Sequence, residues 1–207
     1  MLAAVNLECV RGERRLFRDV GFELSGGTLL EVVGPNGSGK TSLLRMVCGL
    51  LAPAAGEILW HGQNIRRLAE EFRGQLTYLG HHNAIKDDLS GVENLLFSET
   101  MAGGEATQKS ALEALERFGL KGFEDLPTRV LSQGQKRRVA LARLAFRARC
   151  RLWVLDEPFV ALDVKAVRMV ADLIANQADS GGIVLLTTHQ EVDVPVRSRQ
   201  TLRLGTS

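Results

Sequence analysis

Hydrophobic and polar residues alternate along the start of the chain, over residues 2–10 and again over 16–24. The polar segment Arg11–Arg14 separates these two stretches, so the pattern predicts an antiparallel hairpin. Three nearly continuous apolar runs, at 29–33, 152–155 and 183–188, are typical of buried parallel strands. Shorter strands are predicted at 56–62, 76–79 and 200–204.

Apolar residues recur at helical spacing in the segments between these strands. The predicted helices cover residues 42–47, 92–97, 111–118, 135–144 and 164–177. The stretch from about 85 to 148 is the helix-rich part, and we interpret it as a small helical subdomain inserted in the core. The expectation is one α/β domain over residues 1–207, with a mixed sheet core and an N-terminal antiparallel β subdomain.

Composition excludes several classes of protein. The chain has 207 residues, 45% of them hydrophobic and 24% charged, with a net charge of +2, so nothing favours a nucleic-acid partner. No apolar stretch is long enough to cross a bilayer, and the N-terminus lacks the features of a signal peptide. Cys9, Cys48 and Cys150 form no metal-binding spacing and are expected to be reduced thiols, with Cys48 and Cys150 in or near the core.

A glycine-rich loop, GPNGSGKTS, connects the predicted strand at 29–33 to the helix that follows. It fits the phosphate-binding pattern G-x-x-x-x-G-K-[ST], in which glycines let several backbone N–H groups face one phosphate. Lys40 would reach the β- and γ-phosphates, and the Thr41 hydroxyl would bind Mg²⁺. A glycine-rich turn that binds nothing is the alternative, but the flanking strand and helix favour ATP or GTP. The predicted nucleotide contacts are Gly34, Pro35, Asn36, Gly37, Ser38, Gly39, Lys40, Thr41 and Ser42.

Two carboxylates, Asp156 and Glu157, follow the apolar run at 152–155. In an enzyme with a phosphate-binding loop, a carboxylate at the end of a buried strand holds the Mg²⁺ shell. The next carboxylate can accept a hydrogen bond from the water that attacks the γ-phosphate. The alternative interpretation is an ordinary acidic strand end. The phosphate-binding loop upstream favours the metal site over this alternative. We therefore predict Asp156 as a metal residue and Glu157 as catalytic.

The segment Leu131–Gln135 reads LSQGQ and precedes a predicted helix. Alone it could be a simple helix cap, but upstream of Asp156 it resembles the signature L-S-G-G-Q of the ABC ATPase family, with Gln133 replacing the first glycine. The resemblance covers nearly the whole chain and implies a P-loop NTPase fold that uses ATP and Mg²⁺. It also implies a head-to-tail homodimer in which the signature of one subunit closes over ATP bound to the other. The signature residues are Ser132, Gln133, Gly134 and Gln135.

Further family positions follow the signature. Ala161-Leu162-Asp163 matches the D-loop, whose Asp163 would touch the opposite active site. His189, after the apolar run at 183–188, matches the switch histidine that contacts the γ-phosphate. A structural histidine is the alternative, but its register with Asp156 favours the catalytic role.

The chain departs from the family at two positions. Arg11 stands where an aromatic residue usually stacks on adenine, and a guanidinium plane can also stack on a purine. His82 stands where a glutamine usually reaches Mg²⁺ and the attacking water. Neutral histidine can accept a hydrogen bond or bind a metal. Two interpretations of His82 stay open, either a substitute for that glutamine or a solvated loop residue.

Softer matches, including GEILWHGQ at residues 56–63 and GGIVLLTTHQ at 181–190, resemble the cytochrome c biogenesis branch of the family. That branch implies an ATPase at the cytoplasmic face of the bacterial inner membrane, bound to permease subunits similar to CcmB and CcmC. There, ATP hydrolysis is associated with release of a heme-loaded chaperone. Adjacent residues such as His81 and His82 rarely aim at one iron, so no direct heme site is expected in this chain.

Three other functions are the alternatives. The chain could be the ATPase of another exporter, for lipids, drugs or polysaccharide. A soluble ABC protein acting on nucleic acid or ribosomes usually has two cassettes or long insertions, and a regulatory module would not need intact Lys40, Asp156, Glu157 and His189. Arg45 and Arg143 are interpreted as helix-face or core-edge residues rather than catalytic groups.

Overall fold

A computed structural model describes residues 1–205 and divides them into two compact units. The first unit contains residues 1–78, 150–158 and the chain from Ala171 onward, and the second contains 79–149 and 159–170. The first unit holds both sheets, whereas the second is mainly helical.

The first sheet is antiparallel and contains β1 (Leu2–Arg11), β2 (Arg14–Leu24), β4 (Ala55–Trp60) and β5 (Gln63–Asn64), in the order β2-β1-β4-β5. β1 pairs with β2 across the predicted hairpin, and Arg11 lies opposite Arg14 at the turn. The register of β1 shifts against both neighbours after residue 4 or 5, and Asn6 there has a φ of 48°. Such bulges bend a strand and strengthen its twist.

The second sheet has five strands in the order β6-β7-β8-β3-β9. They are β3 (Thr28–Val33), β6 (Leu76–Leu79), β7 (Leu152–Asp156), β8 (Ile183–Thr187) and β9 (Ser198–Arg203). β3, β7, β8 and β9 pair in parallel. Their carboxyl ends therefore share one edge, where ligands bind in open α/β sheets. The predicted mixed core is thus two sheets, one antiparallel and one with parallel pairings.

The core of the first unit lies between the two sheets and the helix α1 (Lys40–Val47). Its members include Leu30, Leu43, Val154 and Leu185, all at most 1% exposed. β7 and β8 are buried at every position, which explains why their sequences are continuous apolar runs. This packing fixes the strand ends that carry the candidate site.

The helical unit contains α3 (Gly91–Met101), α4 (Gln108–Arg117) and α5 (Gln133–Ala142), with 3-10 turns at Thr128–Val130 and Arg143–Phe146. Capping boxes begin all three helices, formed by Ser90 with Glu93, Thr107 with Ser110, and Ser132 with Gln135. Each box satisfies backbone N–H groups that a helix start leaves without partners. α6 (Val164–Asp179) begins in the second part of this unit, residues 159–170, and its later residues belong to the first unit.

The sequence patterns missed one helix, α2 (Ile65–Gly74). Ile65, Leu68 and Phe72 recur at helical spacing in it, so the apolar signal was present in the sequence. Ala69 interrupts the helical geometry with a φ of 39°. α5 begins at Gln133 rather than at residue 135 because Ser132 caps it. The three cysteines are free and buried, Cys9 included. Among residues 1–205, no helix is long and apolar enough to cross a membrane.

Candidate nucleotide-binding and hydrolysis site

The phosphate-binding loop lies between β3 and α1 in the first unit. Gly37 and Gly39 adopt positive φ values of 78° and 100°. A Cβ on Gly39 would lie 2.9 Å from the ring of Phe17, so both the backbone conformation and the packing require glycine there. The curl of the loop and its packing against β2 are therefore encoded by the same residue.

Lys40 is buried inside this curl. Its Nζ donates to the backbone oxygens of Gly34 at 2.7 Å and Pro35 at 3.2 Å. The ammonium group is thus held within the loop, where a phosphate chain binds in this motif. Ser38 is also buried, whereas Pro35 and Asn36 are exposed.

The N-terminus of α1 supplies further donors. No side chain caps the helix at Gly39, so the N–H groups of its first turn remain available to an anion. Thr41 and Ser42, both half-buried, are in this turn. The arrangement gives one positive end of a helix, one ammonium group and two hydroxyl groups around the same loop.

Asp156 ends β7 and is buried at the shared carboxyl edge. The hydroxyl of Thr187, at the end of β8, donates to Asp156 Oδ1 at 2.6 Å. The same hydroxyl oxygen accepts the backbone N–H of Glu157 at 3.0 Å. Thr187 therefore fixes both carboxylate residues, a role that the sequence did not reveal. The sequence signal that could have revealed this role is a residue with a hydroxyl group at the end of a predicted buried strand.

Glu157 and His189 meet in the first unit. The backbone N–H of His189 donates to Glu157 Oε2 at 3.2 Å, and its ring Nε2 lies 3.4 Å from Glu157 Oε1. Glu157 has a positive φ of 52°, an uncommon conformation that concentrates at functional sites. The His189 side chain is about half exposed. An open cavity of about 620 Å³ beside this pair is lined by Gly34, Thr188, His189 and Arg199, among others.

Arg11 is exposed at the end of β1. Burial raises the pKa of the Cys9 thiol, while a hydrogen bond with Ser42 and the charge of Arg11 act in the opposite direction. The hydrogen bond with Ser42 places Cys9 next to the first turn of α1, and Arg11 follows two residues later along β1. A separate groove of about 440 Å³ next to the loop is lined by Arg15, Leu16 and Phe17, together with Arg18, Val20 and residues 203–205.

The signature segment starts α5 in the helical unit. Ser132 Oγ accepts the Gln135 backbone N–H at 3.2 Å, and Gln135 Oε1 accepts the Ser132 N–H at 2.9 Å. A Cβ on Gly134 would lie 2.8 Å from the backbone oxygen of Ala161, whereas Gln133 is exposed. Packing thus demands glycine at 134 and accepts glutamine at 133.

Asp163 directly precedes α6 and is exposed. Its Oδ1 accepts the Ala166 backbone N–H at 2.8 Å, and its Oδ2 pairs with Arg138 of α5. The Ala166 hydrogen bond, with the positive charge of Arg138, lowers the pKa of this carboxyl. His82 is exposed in the loop after β6, and its ring packs edge-on against that of His81 at 5.6 Å.

The donor chemistry fits magnesium in part. Thr41 offers a hydroxyl and Asp156 a carboxylate, the hard oxygen ligands that Mg²⁺ prefers. The imidazole of His82 suits transition metals better than Mg²⁺. The structure therefore supports Thr41 and Asp156 as the magnesium residues more strongly than His82.

A family model described as ABC transporter matches residues 17–160. The chain is 56% identical to the cytochrome c biogenesis ATP-binding export protein CcmA of Dechloromonas aromatica, over 99% of this chain and 100% of that protein. It is 45% identical to CcmA of Pseudomonas aeruginosa, with the same coverage.

Solved structures show the same fold. A dimeric structure of MJ0796, a bacterial ABC transporter cassette, has a TM-score of 0.83 at 24% identity and covers 98% of this chain and 94% of that one. A post-hydrolysis state of that cassette bound to ADP and Pi has a TM-score of 0.79 at 25% identity, with coverage of 92% and 88%. The P-loop NTPase fold expected from the sequence is confirmed. The chain belongs to the ABC transporter family of ATP-hydrolysing subunits and, within it, to the group of the CcmA proteins.

Proposed function

We propose that this chain is the ATP-hydrolysing subunit of the membrane ABC complex that handles heme during c-type cytochrome biogenesis. The observation that carries this proposal is the 56% identity to a CcmA protein over the full length of both chains. The reaction is hydrolysis of ATP, for which the first unit supplies the phosphate-binding loop and a buried pair of carboxylates.

We propose a role for each site residue of the first unit. The loop from Gly34 to Ser42 binds the phosphates, and the ammonium group of Lys40 neutralises their charge. Thr41 and Asp156 hold Mg²⁺, which neutralises charge on the phosphate oxygens when it is bound. Glu157 accepts the proton of the attacking water, and His189 both orients Glu157 and contacts the γ-phosphate. Arg11 packs against the nucleotide base.

The helical unit completes the site in a homodimer. We propose a single ATPase domain over residues 1–207, with the segment from about 85 to 148 as its helical subdomain. Ser132, Gln133, Gly134 and Gln135 close over ATP bound to the other subunit, and Asp163 approaches that same site. The N-terminus of α5 supports this role, because the positive end of a helix favours an anion and the capping box uses the N–H groups of Ser132 and Gln135 rather than those of Gln133 and Gly134.

Permease subunits similar to CcmB and CcmC anchor the ATPase at the cytoplasmic face of the inner membrane. ATP hydrolysis drives release of the heme-loaded chaperone, and heme itself binds to the partners. The loop around His82 meets the permease. In this arrangement the chain binds ATP and magnesium but neither heme nor nucleic acid.

The test is complementation of a bacterium that lacks its own CcmA. The wild-type chain should restore heme-stained c-type cytochromes, and Lys40→Ala should abolish them because the phosphates lose their cation. Lys109→Ala is the matched control, since Lys109 is exposed and makes only a 4.0 Å pair with Glu113. ATP hydrolysis by the purified complex without restored cytochromes would contradict the heme assignment and leave the ATPase role intact.

A further inference from the structure

The signature helix α5 carries a buried arginine that contacts the loop after β6. Arg137 is 4% exposed. Its Nη1 donates to the backbone oxygen of Gly80 at 3.3 Å and to the side-chain oxygen of Asn83 at 3.1 Å. A single guanidinium group thus holds two positions of the loop that contains His82.

A second arginine, at the end of α5, holds the same loop. Arg143 Nη2 donates to the backbone oxygen of Asn83 at 2.8 Å, and its Nε donates to the backbone oxygen of Ala140 at 3.0 Å. Arg147 forms an ion pair of 2.8 Å with the buried Glu99 of α3. Burial lowers the pKa of Arg143, the charge of Arg147 adds to this effect, and Glu99 opposes it. Glu99 therefore offsets part of the cost of burying these cations.

A third arginine connects α5 to the loop that precedes α6. Arg138 pairs with Asp163, which also caps the first turn of α6. On the same side, Gly134 packs directly against the backbone oxygen of Ala161. Ala161 has a positive φ of 62°, so this loop is constrained by its backbone as well as by its contacts.

Consecutive residues of α5 therefore bind two different loops. Arg137 contacts residues 80–83, and Arg138 contacts Asp163. Hydrogen bonds to charged groups stabilise a fold more than hydrogen bonds between neutral groups. The 80–83 loop makes three of them with Arg137 and Arg143.

We propose that Arg137, Arg138 and Arg143 are positioning residues that fasten the loops at 80–83 and 161–163 to the signature helix, so that all three move as one body. This inference rests on the proposed function, in which the first loop meets the permease and Ser132–Gln135 close on ATP. A displacement of the 80–83 loop by the permease would then displace the signature residues directly. Hydrolysis, rather than ATP binding, depends on this connection.

The test is a double-mutant cycle between Arg137 and Asn83 in the assembled complex. Arg137→Met and Asn83→Ala should each lower kcat about tenfold and leave the KM for ATP within about twofold, because only the transmitted movement is lost. The double variant should be no slower than either single variant, since both remove the same contact. Asn83→Asp keeps an acceptor for Arg137 and should restore most of the rate.

Hydrogen exchange in the isolated chain supplies a readout that does not depend on the permease. Arg137→Met should speed amide exchange in residues 80–84 by about tenfold or more, as expected when a loop loses about 1.4 kcal/mol of local stability. Arg143→Lys tests the same loop with the charge retained, because an ammonium group is a poor replacement for a fork that spans two acceptors. Arg129→Met is the control, as Arg129 makes an exposed pair with Asp88 in the same unit.

Additive effects in the cycle, or unchanged exchange in residues 80–84, would overturn the proposal. So would equal losses in kcat for Arg129→Met and Arg137→Met. If the wild-type chain failed to bind ATP, the proposed function would be wrong, and the exchange experiment would still decide whether the arginines fasten the loop.

Discussion

Asp156 and Glu157 at the sheet edge are 2% and 8% exposed, and Glu99 in the helical unit is 3% exposed. Their neighbours differ in kind. Asp156 accepts from the Thr187 hydroxyl, and Glu157 lies against the backbone N–H and the ring of His189. Glu99 forms a 2.8 Å ion pair with Arg147.

This difference distinguishes carboxylates that can take part in a reaction from a carboxylate that stabilises the fold. A carboxylate oriented by a hydroxyl or a backbone N–H retains oxygen lone pairs that can serve a metal ion or a water molecule. A carboxylate in a guanidinium pair has its charge and much of its hydrogen-bonding capacity committed to that partner. Burial alone would rank the three residues together, whereas the donors around them support the catalytic role that we propose for Asp156 and Glu157 and a structural role for Glu99.

The largest expected effect is on catalysis at Glu157. Glu157→Gln keeps the size of the side chain but removes the base, so kcat should fall by about 10³-fold while ATP affinity stays within about threefold. Single-turnover hydrolysis and ATP titration of the same preparation measure both. Glu99→Gln is the matched control and should hydrolyse ATP at close to the wild-type rate. Equal losses of kcat in the two variants would break the comparison.

The next effect is on stability at Glu99. Glu99→Ala leaves Arg147 in a largely buried position without its carboxylate, which should cost about 3 kcal/mol of unfolding free energy. Denaturant unfolding measures this loss, and the affinity for ATP of the folded fraction should not change. Glu113→Ala removes an exposed pair with Lys109 and should cost less than about 0.5 kcal/mol. A loss as small at Glu99 as at Glu113 would contradict the structural role.

A smaller effect is expected at Thr187, which orients both site carboxylates. Thr187→Val removes the hydroxyl at nearly constant size, so it should lower kcat about tenfold and the unfolding free energy by about 1–2 kcal/mol. Steady-state kinetics and denaturant unfolding are the measurements. Thr100→Val is the control, since the Thr100 hydroxyl bonds only its own helix at an exposed site. Unchanged kcat in Thr187→Val would show that Asp156 and Glu157 do not need this hydroxyl.

The smallest effect is a pH dependence. Burial raises the pKa of Glu99, and Arg147 only partly offsets this. Between the ordinary pKa of a glutamate and the raised pKa of Glu99, the folded state binds more protons than the unfolded state. The free energy of unfolding is therefore greatest below the ordinary pKa and falls as the pH rises through the raised pKa. Glu99→Gln should remove this slope when unfolding is compared between about pH 4 and pH 7. A slope that persists in the variant would place its origin at another group.

The sequence predicted the features that are contiguous along the chain. Three site features each follow an apolar run: the phosphate-binding loop, the two carboxylates at the end of β7 and the histidine after β8. The apolar run predicts the strand, and the polar residues directly after it predict the chemistry at the end of that strand. The parallel strands were found for the same reason. The helix α2 was missed although Ile65, Leu68 and Phe72 recur at helical spacing, so this was a pattern that the sequence contained.

Contacts between distant segments could not be predicted in this way. Glu99 and Arg147 look like ordinary helix-surface residues in the sequence, and only the packing of α3 against the end of α5 buries them. Likewise, Arg137 and Asn83 are far apart along the chain. Their pairing depends on where the helix and the loop meet, which no local pattern encodes. The interpretation of Arg143 as a core-edge residue agrees with its burial, but its contact with Asn83 could not be foreseen.

The most direct measurement uses the tagged Glu157→Gln variant, purified with MgATP from detergent-solubilised membranes of a bacterium that makes c-type cytochromes. We expect membrane proteins of cytochrome c maturation to co-purify, with a heme absorption band that is lost when ATP is left out. Mass spectrometry and the visible spectrum of the eluate report both. An unrelated permease without heme would contradict the central claim, although the chain would remain an ABC ATPase.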